Sequence, residues 1–463
     1  MSTNRKELSL KSFFIFNSTF SVSEDDTENK RLFYFSGVET PEFKQLNDLG
    51  LVEAIINFVG PFVGEEKCQA LHTQKTKQFF YTPEKDYWMV LILNLPNEVT
   101  SKDGAQVSDY KVEEVNDEVY RHFLKQSYRM FRFFQGTFEC NLKGKSKDDQ
   151  RTNLSNVLKE YFSSYLESLK LPSFNFLTIL QSVQYFPLQK DLFLRLHNFI
   201  KMVKSTFTSI DFCTYFFNDH LVWSEIASED LLCLNEYLTT TLFPKAIKAE
   251  ISSGAVDRNY LVDCDRYGGY LAGKSSSENT IDPPVLYLHE KNGGLKMFSM
   301  IVYRTMNGTF CLFVDVKKDL PNDFYTELQS YMAQQLAKIS SDIGSFYLKS
   351  SPKTPTSNSD LETPRYLFIN DLTQQHRGTL NKQSEIPLNI SNTIAELFDD
   401  SNSDKYHEVM VKSTNDYWVV KKSSNHRQLV VVIHSNKATL IDISNDVNRL
   451  FTQEVKNNVF FEQ

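Results

Sequence analysis

Apolar and polar positions along this chain change rhythm in an order that repeats. LKSFFIFN and KRLFYFSG are short aromatic runs separated by the polar SVSEDDTENK, which predicts an antiparallel hairpin with a long loop. Thr40 then offers a helix N-cap and Pro41 suits the first helical position. Phe43, Leu46, Leu49, Val52, Ile55, Ile56 and Val59 recur at helical spacing up to Gly60-Pro61, where the helix is predicted to stop. ALHTQKTKQFFY and DYWMVLILNL read as two further strands, with a third at DYKVEE. The helix DEVYRHFLKQSYRMFRFF places Val119, Phe123, Met130 and Phe134 on one stripe and ends at Gly136. A last helix, TNLSNVLKEYFSSYLESLKL, is stopped by Pro172.

After an apolar stretch containing FLTILQSV and LFLRLHNFIKMV, read as linking helices, the order restarts. IDFCTYFF, the turn NDH and LVWSEI predict a hairpin, and Ser228 with Glu229 and Asp230 begins a helix predicted to stop at Pro244. PPVLYLHE, LKMFSMIVYR and TFCLFVDVK read as three strands, the last two joined by Asn307-Gly308, a strong hairpin signal. Asn322 or Asp323 then caps a helix bearing Phe324, Leu328, Leu336, Ile339 and Ile343. KSSPKTPTSNSDLET is a Ser/Thr/Pro-rich linker, too polar to pack. YLFIND opens a third round, with a short helix at NISNTIAELF, strands at HEVMVKST, DYWVVKKS, QLVVVIHS and ATLIDIS, and a final helix near DVNRLFTQEV. This round lacks a clear second strand and reads as degenerate. The implied division is a first domain over 8–172, a helical connector over 173–204, a second domain over 205–348, a linker over 349–363 and a third domain over 364–463.

Two of the three tryptophans share an Asp-Tyr-Trp step, at Asp86-Tyr87-Trp88 and Asp416-Tyr417-Trp418. The pattern puts both on the strand after the first helix of their unit, where a Trp ring can be buried while its N–H finds a partner.

Composition narrows the function. With 41% apolar and 13% aromatic residues the chain is globular, and 463 residues suit about three cores. Fifty Lys and Arg against 58 Asp and Glu give a net charge of −8, which argues against nucleic acid as a partner. The six cysteines form no CxxC pair and have no matching His spacing, so no metal site or disulfide framework is indicated. No apolar run approaches the roughly 20 residues that span a bilayer, and MSTNRKELSL lacks a signal-peptide core, which predicts a cytosolic protein.

One catalytic pattern is present. GGYLAGKS, from Gly268 to Ser275, satisfies G-x-x-x-x-G-K-[ST], the phosphate-cradling P-loop. A working P-loop follows a buried strand and opens a helix, so that backbone N–H groups and the helix terminus hold the phosphates. Here DRNYLVDCDRY precedes it and the polar SSSENTIDPP follows, so the competing reading is a loop between helix and sheet. The nine histidines are dispersed, and His72 in ALHTQK is the one in a polar cluster beside a candidate strand. No catalytic residue or cofactor-binding set is indicated.

The order strand, strand, helix, three strands, helix is that of a longin domain, an α+β unit with a five-stranded antiparallel sheet flanked by helices. Three such units, carrying LSLKSFFIFN, ENKRLFYF, GLVEAIINF, ALHTQKTKQFF, KDYWMVLIL, FFNDHLVWS, LTTTLFP and NDYWVVKK, closely resemble the calcium-caffeine-zinc sensitivity family over nearly the whole chain. The lysine of GGYLAGKS departs from that family's pattern. The resemblance implies a non-enzymatic subunit of a heteromeric guanine-nucleotide exchange factor. Its partners would be the monensin-sensitivity tri-longin protein, the late-endosomal Rab GTPase of the Rab seven type and, in animals, an accessory third subunit. The setting would be endosome maturation and fusion of autophagosomes with lysosomes, with peripheral recruitment to membrane phosphoinositides. By analogy the platform would lie on the first helix, at Val52, Ile55, Ile56 and Phe58, and on Leu71, His72, Thr73, Gln74 and Lys75. Ile and Val at helical spacing equally serve a core. A plain trafficking adaptor and a nucleotide-binding protein built on Gly268–Ser275 stay open as alternatives.

Overall fold

The computed structural model describes residues 4–21, 27–63, 68–102, 105–169, 171, 177–252, 268–273, 281–290, 292–321, 323–350, 365–380, 386–399 and 407–452. The elements of the first repeat are β1 (Asn4–Lys6), β2 (Ser9–Asn17), α1 (Thr27–Lys30), β3 (Arg31–Phe35), α2 (Glu42–Val63), β4 (Ala70–His72), β5 (Thr76–Tyr81), β6 (Tyr87–Asn94), β7 (Asn97–Lys102), β8 (Ala105–Tyr110), α3 (Asp117–Gln135) and α4 (Lys147–Glu167). A connector follows, with α5 (Leu177–Leu180), β9 (Val183–Gln184) and α6 (Lys190–Thr206). The second repeat holds β10 (Ile210–Phe217), β11 (His220–Ser224), α7 (Ser228–Tyr237), α8 (Phe243–Ser252), β12 (Gly268–Ala272), β13 (Val285–His289), β14 (Leu295–Thr305), β15 (Gly308–Asp315) and α9 (Phe324–Ser350). The third has β16 (Arg365–Asn370), β17 (Gln375–Gly378), α10 (Leu388–Asp399), β18 (Glu408–Lys412), β19 (Tyr417–Ser424), β20 (Arg427–His434) and α11 (Leu440–Leu450).

The three large sheets share one strand order. Within each sheet the first strand contributed by the repeat lies beside the last, giving β3-β2-β6-β5-β4, then β11-β10-β15-β14-β12, then β17-β16-β20-β19-β18. Five strands were expected in each sheet, and only the first keeps that number. In the second, β12 and β13 both pair with the long β14. In the third, β9 adds a sixth strand parallel to β17.

The chain forms two compact units, Met1–Gln181 with Gln383–Ser401, and Ser182–Lys382 with Asn402–Gln463. In the first, one sheet face packs Phe14, Phe16, Phe80, Val90 and Ile92 against Leu49 and Val52 of α2. The other face is aromatic: Phe13 and Phe33 lie against Phe162 of α4, which stacks on Phe131 of α3 at 5.6 Å. Helix α10 belongs by sequence to the third repeat but packs against α3 and α5 of this unit. There Asn392 Nδ2 donates to the Glu113 carbonyl at 3.1 Å.

In the second unit, α6 and α9 cover the face of the second sheet that carries Tyr215, Ile301, Tyr303 and Leu312. Gly308 opens β15 beneath a buried hydrogen bond between Tyr215 Oη and Ser340 Oγ at 3.0 Å. A β-carbon there would fall 2.3 Å from both oxygens. Gly308→Ala is therefore expected to lower the stability of this unit by about 1–3 kcal/mol, read as a shift of the urea midpoint.

Several expectations are corrected. Helix α2 runs past Gly60-Pro61 to Val63, with Pro61 inside its last turn and unable to donate to the Asn57 carbonyl. The helix begun at Ser228 passes Pro244 into α8, through a π-helical stretch at Leu238–Leu242 that re-pairs the backbone where proline has no N–H. ALHTQKTKQFFY is two strands, β4 and β5, folded back at Thr73–Lys75. Part of FLTILQSV is the four-residue α5, and its last two residues enter the strap that includes β9. In the third repeat QHRG supplies the missing second strand as β17, and ATLIDIS holds the Thr439 cap and first turn of α11. The first two residues of the expected linker, Lys349 and Ser350, end α9, and 351–364 lie outside the described residues.

The two Asp-Tyr-Trp steps are not at one topological place. Trp88 lies on β6, the third strand after α2, whereas Trp418 lies on β19, the second after α10. What they share is local: Asp86 (φ 66°) and Asp416 (φ 60°) both take the left-handed conformation immediately before an eight-residue strand. Aspartate tolerates that region, so the likeness is one of turn chemistry. Trp418 is buried, with Nε1 donating to the Ser435 carbonyl at 3.3 Å.

Candidate functional site

Helix α2 carries apolar side chains on both faces. Its inward arc holds the core residues Leu49 and Val52 together with half-buried Gln45, Asp48 and Glu53, each tied to the neighbouring hairpin, while Lys44, Asn47 and Asn57 are exposed. Glu53 pairs with buried Lys30 at 2.9 Å, and Arg31 reaches Glu42 at 2.6 Å and Gln45 Oε1 at 2.7 Å. Tyr34 Oη donates to Asp48 Oδ2 at 3.0 Å, and burial, with that carboxylate beside it, pushes the phenol up to about 12. These bonds fix the helix in rotation.

The outward arc carries the large apolar side chains. Phe43, Leu51, Phe58 and Phe62 are 67%, 56%, 71% and 78% exposed, and at 100° per residue they fall within an arc of about 100°. The Phe58 and Phe62 rings lie against each other, tilted by 49°, at 5.5 Å between centroids. A helix apolar on its core side and again on its solvent side belongs in a core or an interface.

The expected platform residues divide on this geometry. Val52 is 1% exposed and faces the sheet, so it supports the helix and offers no outer surface. Ile56 and Leu71 are half-buried against the same core, and Ile55 is half-buried. Phe58 lies on the outer arc. His72, Thr73, Gln74 and Lys75 are exposed at the hairpin between β4 and β5. His72 Nε2 lies 2.6 Å from Asp117 Oδ2, while Asp117 Oδ1 accepts from buried Lys77 at 2.8 Å, so the first turn of α3 anchors this edge. The Thr73 hydroxyl closes the turn against Thr76 Oγ1 at 2.8 Å, leaving Gln74 and Lys75 at the tip.

Sequence spacing assigned Phe43 to the core and passed over Leu51 and Phe62. The available signal was excess: α2 holds more large apolar residues than one stripe can bury.

GGYLAGKS is also placed. Gly268–Ala272 forms β12, an antiparallel strand on Val302–Thr305, and no loop; Lys274 and Ser275 lie outside the described residues. Gly268 is required by close approach, since a β-carbon would fall 2.5 Å from the Arg304 carbonyl oxygen. The first glycine of the pattern therefore serves strand packing. Among the described residues no group of three or more His, Cys, Asp or Glu is placed to hold a metal ion, and no helix is long and apolar enough to cross a membrane.

Three sheets of one strand order, each flanked by helices, define a tri-longin protein of the α+β class. Residues 10–136 match the first longin domain of INTU, CCZ1 and HPS4, residues 210–333 the Intu longin-like domain 2, and residues 360–450 the Intu longin-like domain 3. Over 98% of its length the chain is 31% identical to the vacuolar fusion protein CCZ1 homolog of Xenopus laevis, covering 97% of that protein. It is 30% identical to that of Nematostella vectensis and 24% identical to that of Dictyostelium discoideum, covering 98% and 99% of those proteins. The chain belongs to the CCZ1 family.

Proposed function

We propose that this chain acts in vacuolar and endosomal trafficking as one subunit of a heteromeric guanine-nucleotide exchange factor. It would pair with the monensin-sensitivity tri-longin protein and act on the late-endosomal Rab GTPase in endosome maturation and in fusion of autophagosomes with lysosomes. The observation that carries the reading is the outer arc of α2, where Phe43, Leu51, Phe58 and Phe62 stand exposed while Gln45, Asp48 and Glu53 are tied inward. Family membership gives the setting, through relatives named as vacuolar fusion proteins. An accessory third subunit and peripheral contact with phosphoinositides belong to the same reading.

The mechanism is one of linkage and calls for no covalent step. A platform that binds the nucleotide-free GTPase more tightly than the loaded form weakens nucleotide binding by the same factor. It does so by holding a switch segment away from magnesium and phosphate, an order-to-displacement change. The exposed hairpin tip at Gln74 and Lys75, braced by His72 and Asp117, supplies polar contacts on the same domain as the apolar arc.

The test is release of a fluorescent guanine nucleotide from the late-endosomal Rab, with the co-expressed pair and with each subunit alone. Acceleration by the pair only is expected, and Lys274→Ala is expected to leave the rate unchanged. Binding of the Rab without acceleration would leave an adaptor in place of an exchange factor.

A further inference from the structure

The second sheet has an edge at β13, which pairs with β14 in the register Val285↔Ser299 to His289↔Leu295. Two bonds fix the phase of that ladder. Met300 N–H donates to the Pro284 carbonyl at 2.9 Å, whereas His289 N–H turns away from β14 to Asp230 Oδ2 on α7, at 2.7 Å. In an antiparallel pair such groups alternate. Leu286 and Leu288 therefore bond to β14, and the N–H and C=O groups of Val285 and Tyr287 point outward, with no partner among the described residues.

Both ends of this edge are closed. Pro284 has no N–H to offer, and buried Asp230 caps His289, its Oδ1 lying 2.7 Å from His289 Nδ1. Natural edges are usually blunted by lysine, proline or a bulge, and β13 itself, VLYLH, carries none of these. What remains is a short acceptor of two outward-facing residues. The side chains beside it form an apolar row, because Tyr287 lies opposite Met297, and Met297 beside Val316, on one face with Val285. Val285, Met297 and Val316 are 42%, 41% and 45% exposed. The charges at the rim balance: Lys296 lies 3.0 Å from Asp315 and 3.4 Å from Glu290, Lys317 stands beside Asp315, and Lys318 lies 2.8 Å from Asp211, three cations against three carboxylates. The edge thus presents backbone groups and apolar surface with no net local charge, and its complement is uncharged.

We propose that β13 receives an extended, uncharged segment of a partner protein, added as a further strand with apolar residues at alternate positions over Val285, Met297 and Val316. The proposal is independent of the role given to α2.

Tyr287→Pro provides the test, because it deletes an N–H that faces outward and spares the ladder to β14. A random twelve-residue peptide library displayed on phage is selected on the full wild-type chain and counter-selected on Tyr287→Pro. The enriched sequences are expected to be uncharged, to alternate apolar and polar residues, and to bind the variant about tenfold more weakly through loss of a backbone hydrogen bond. Tyr287→Lys, which keeps the backbone and places a charge at the centre of the edge, is expected to reproduce the loss and covers the case in which the proline variant fails to fold. Enriched peptides that bind wild type and both variants alike, or no enrichment, would overturn the proposal. Self-association of the wild type that Tyr287→Lys abolishes would also overturn it, by making a second copy the occupant.

Discussion

Replacing Phe58 and Phe62 together with aspartate is expected to leave the unfolding free energy of the first unit within about 1 kcal/mol of wild type, while weakening association with the tri-longin partner proposed above about a hundredfold or more. The two halves of this expectation rest on the same numbers. At 71% and 78% exposure the rings contribute little to the fold, and the core that holds α2 is built from Leu49 and Val52 on the opposite arc. Two carboxylates near the C-terminal end of a helix, of which the one at 62 lies in the last turn, cost about 0.3–1 kcal/mol through the helix dipole. Aromatic anchors buried in an interface are commonly worth about 2 kcal/mol or more each, and a desolvated carboxylate in their place adds to the loss. Val52→Ala is the opposing control: it is expected to destabilise the unit by about 1–3 kcal/mol and to spare affinity wherever the unit stays folded. Interferometry on the purified pair, with a denaturant titration of each variant, separates the two. Unchanged affinity in the double aspartate variant would remove the outer arc of α2 from the interface.

The second large effect is one of acidity. In the second unit His376 is half-buried on β17, its ring closed in by neighbouring atoms, with Nδ1 2.8 Å from Ser182 Oγ on the strap that carries β9. That strap also reaches β11, where Tyr185 bridges Leu221 and Phe186 N–H donates to the Leu221 carbonyl at 2.8 Å. Burial first, and the neighbouring His220 second, hold His376 at about 4, below its ordinary 6.5. A pKa depressed in the folded state means that the unfolded chain binds the proton more readily. Its contribution to stability is therefore complete above pH 6.5 and is lost as pH falls through the interval down to about 4. The full loss is on the order of 3 kcal/mol. Asp219, Asp315 and Asp442 also have lowered values, but they start from 3.8, so their losses fall at lower pH. Urea unfolding of this unit between pH 7 and 4.5 is thus expected to show an acid slope that His376→Gln flattens. Parallel pH profiles for the two proteins would refute the assignment.

Much of the fold was legible because its signals are local. The Asn307-Gly308 hairpin, the Ser228 helix start and the alternation of the aromatic strands each reside in a few neighbouring residues. Stops were less legible, since Pro61 and Pro244 break helices only when nothing absorbs the missing N–H, and here a last turn and a π-helical stretch absorb it. The four residues of β17, Gln-His-Arg-Gly, are polar and half-buried, so periodicity could not announce them; their pairing with Leu367–Asn370 and β9 does. The candidate site was half legible. Spacing could place apolar residues on α2 but could not tell its core arc from its outer arc, because the inward polar groups are satisfied by Lys30, Arg31 and Tyr34 of the preceding hairpin, a pairing that periodicity within the helix does not show. The matched Asp-Tyr-Trp steps show the converse hazard, a likeness that belongs to a turn and not to a repeat.

The exposed apolar arc of α2 bears on how much of this protein a cell can hold. A chain that turns four large apolar side chains of α2 toward water is a good client for chaperones and degradation machinery whenever that face is uncovered. Its steady-state level would then follow the supply of whatever covers it, so that an excess of this chain is cleared while a shortage of the covering protein depletes both.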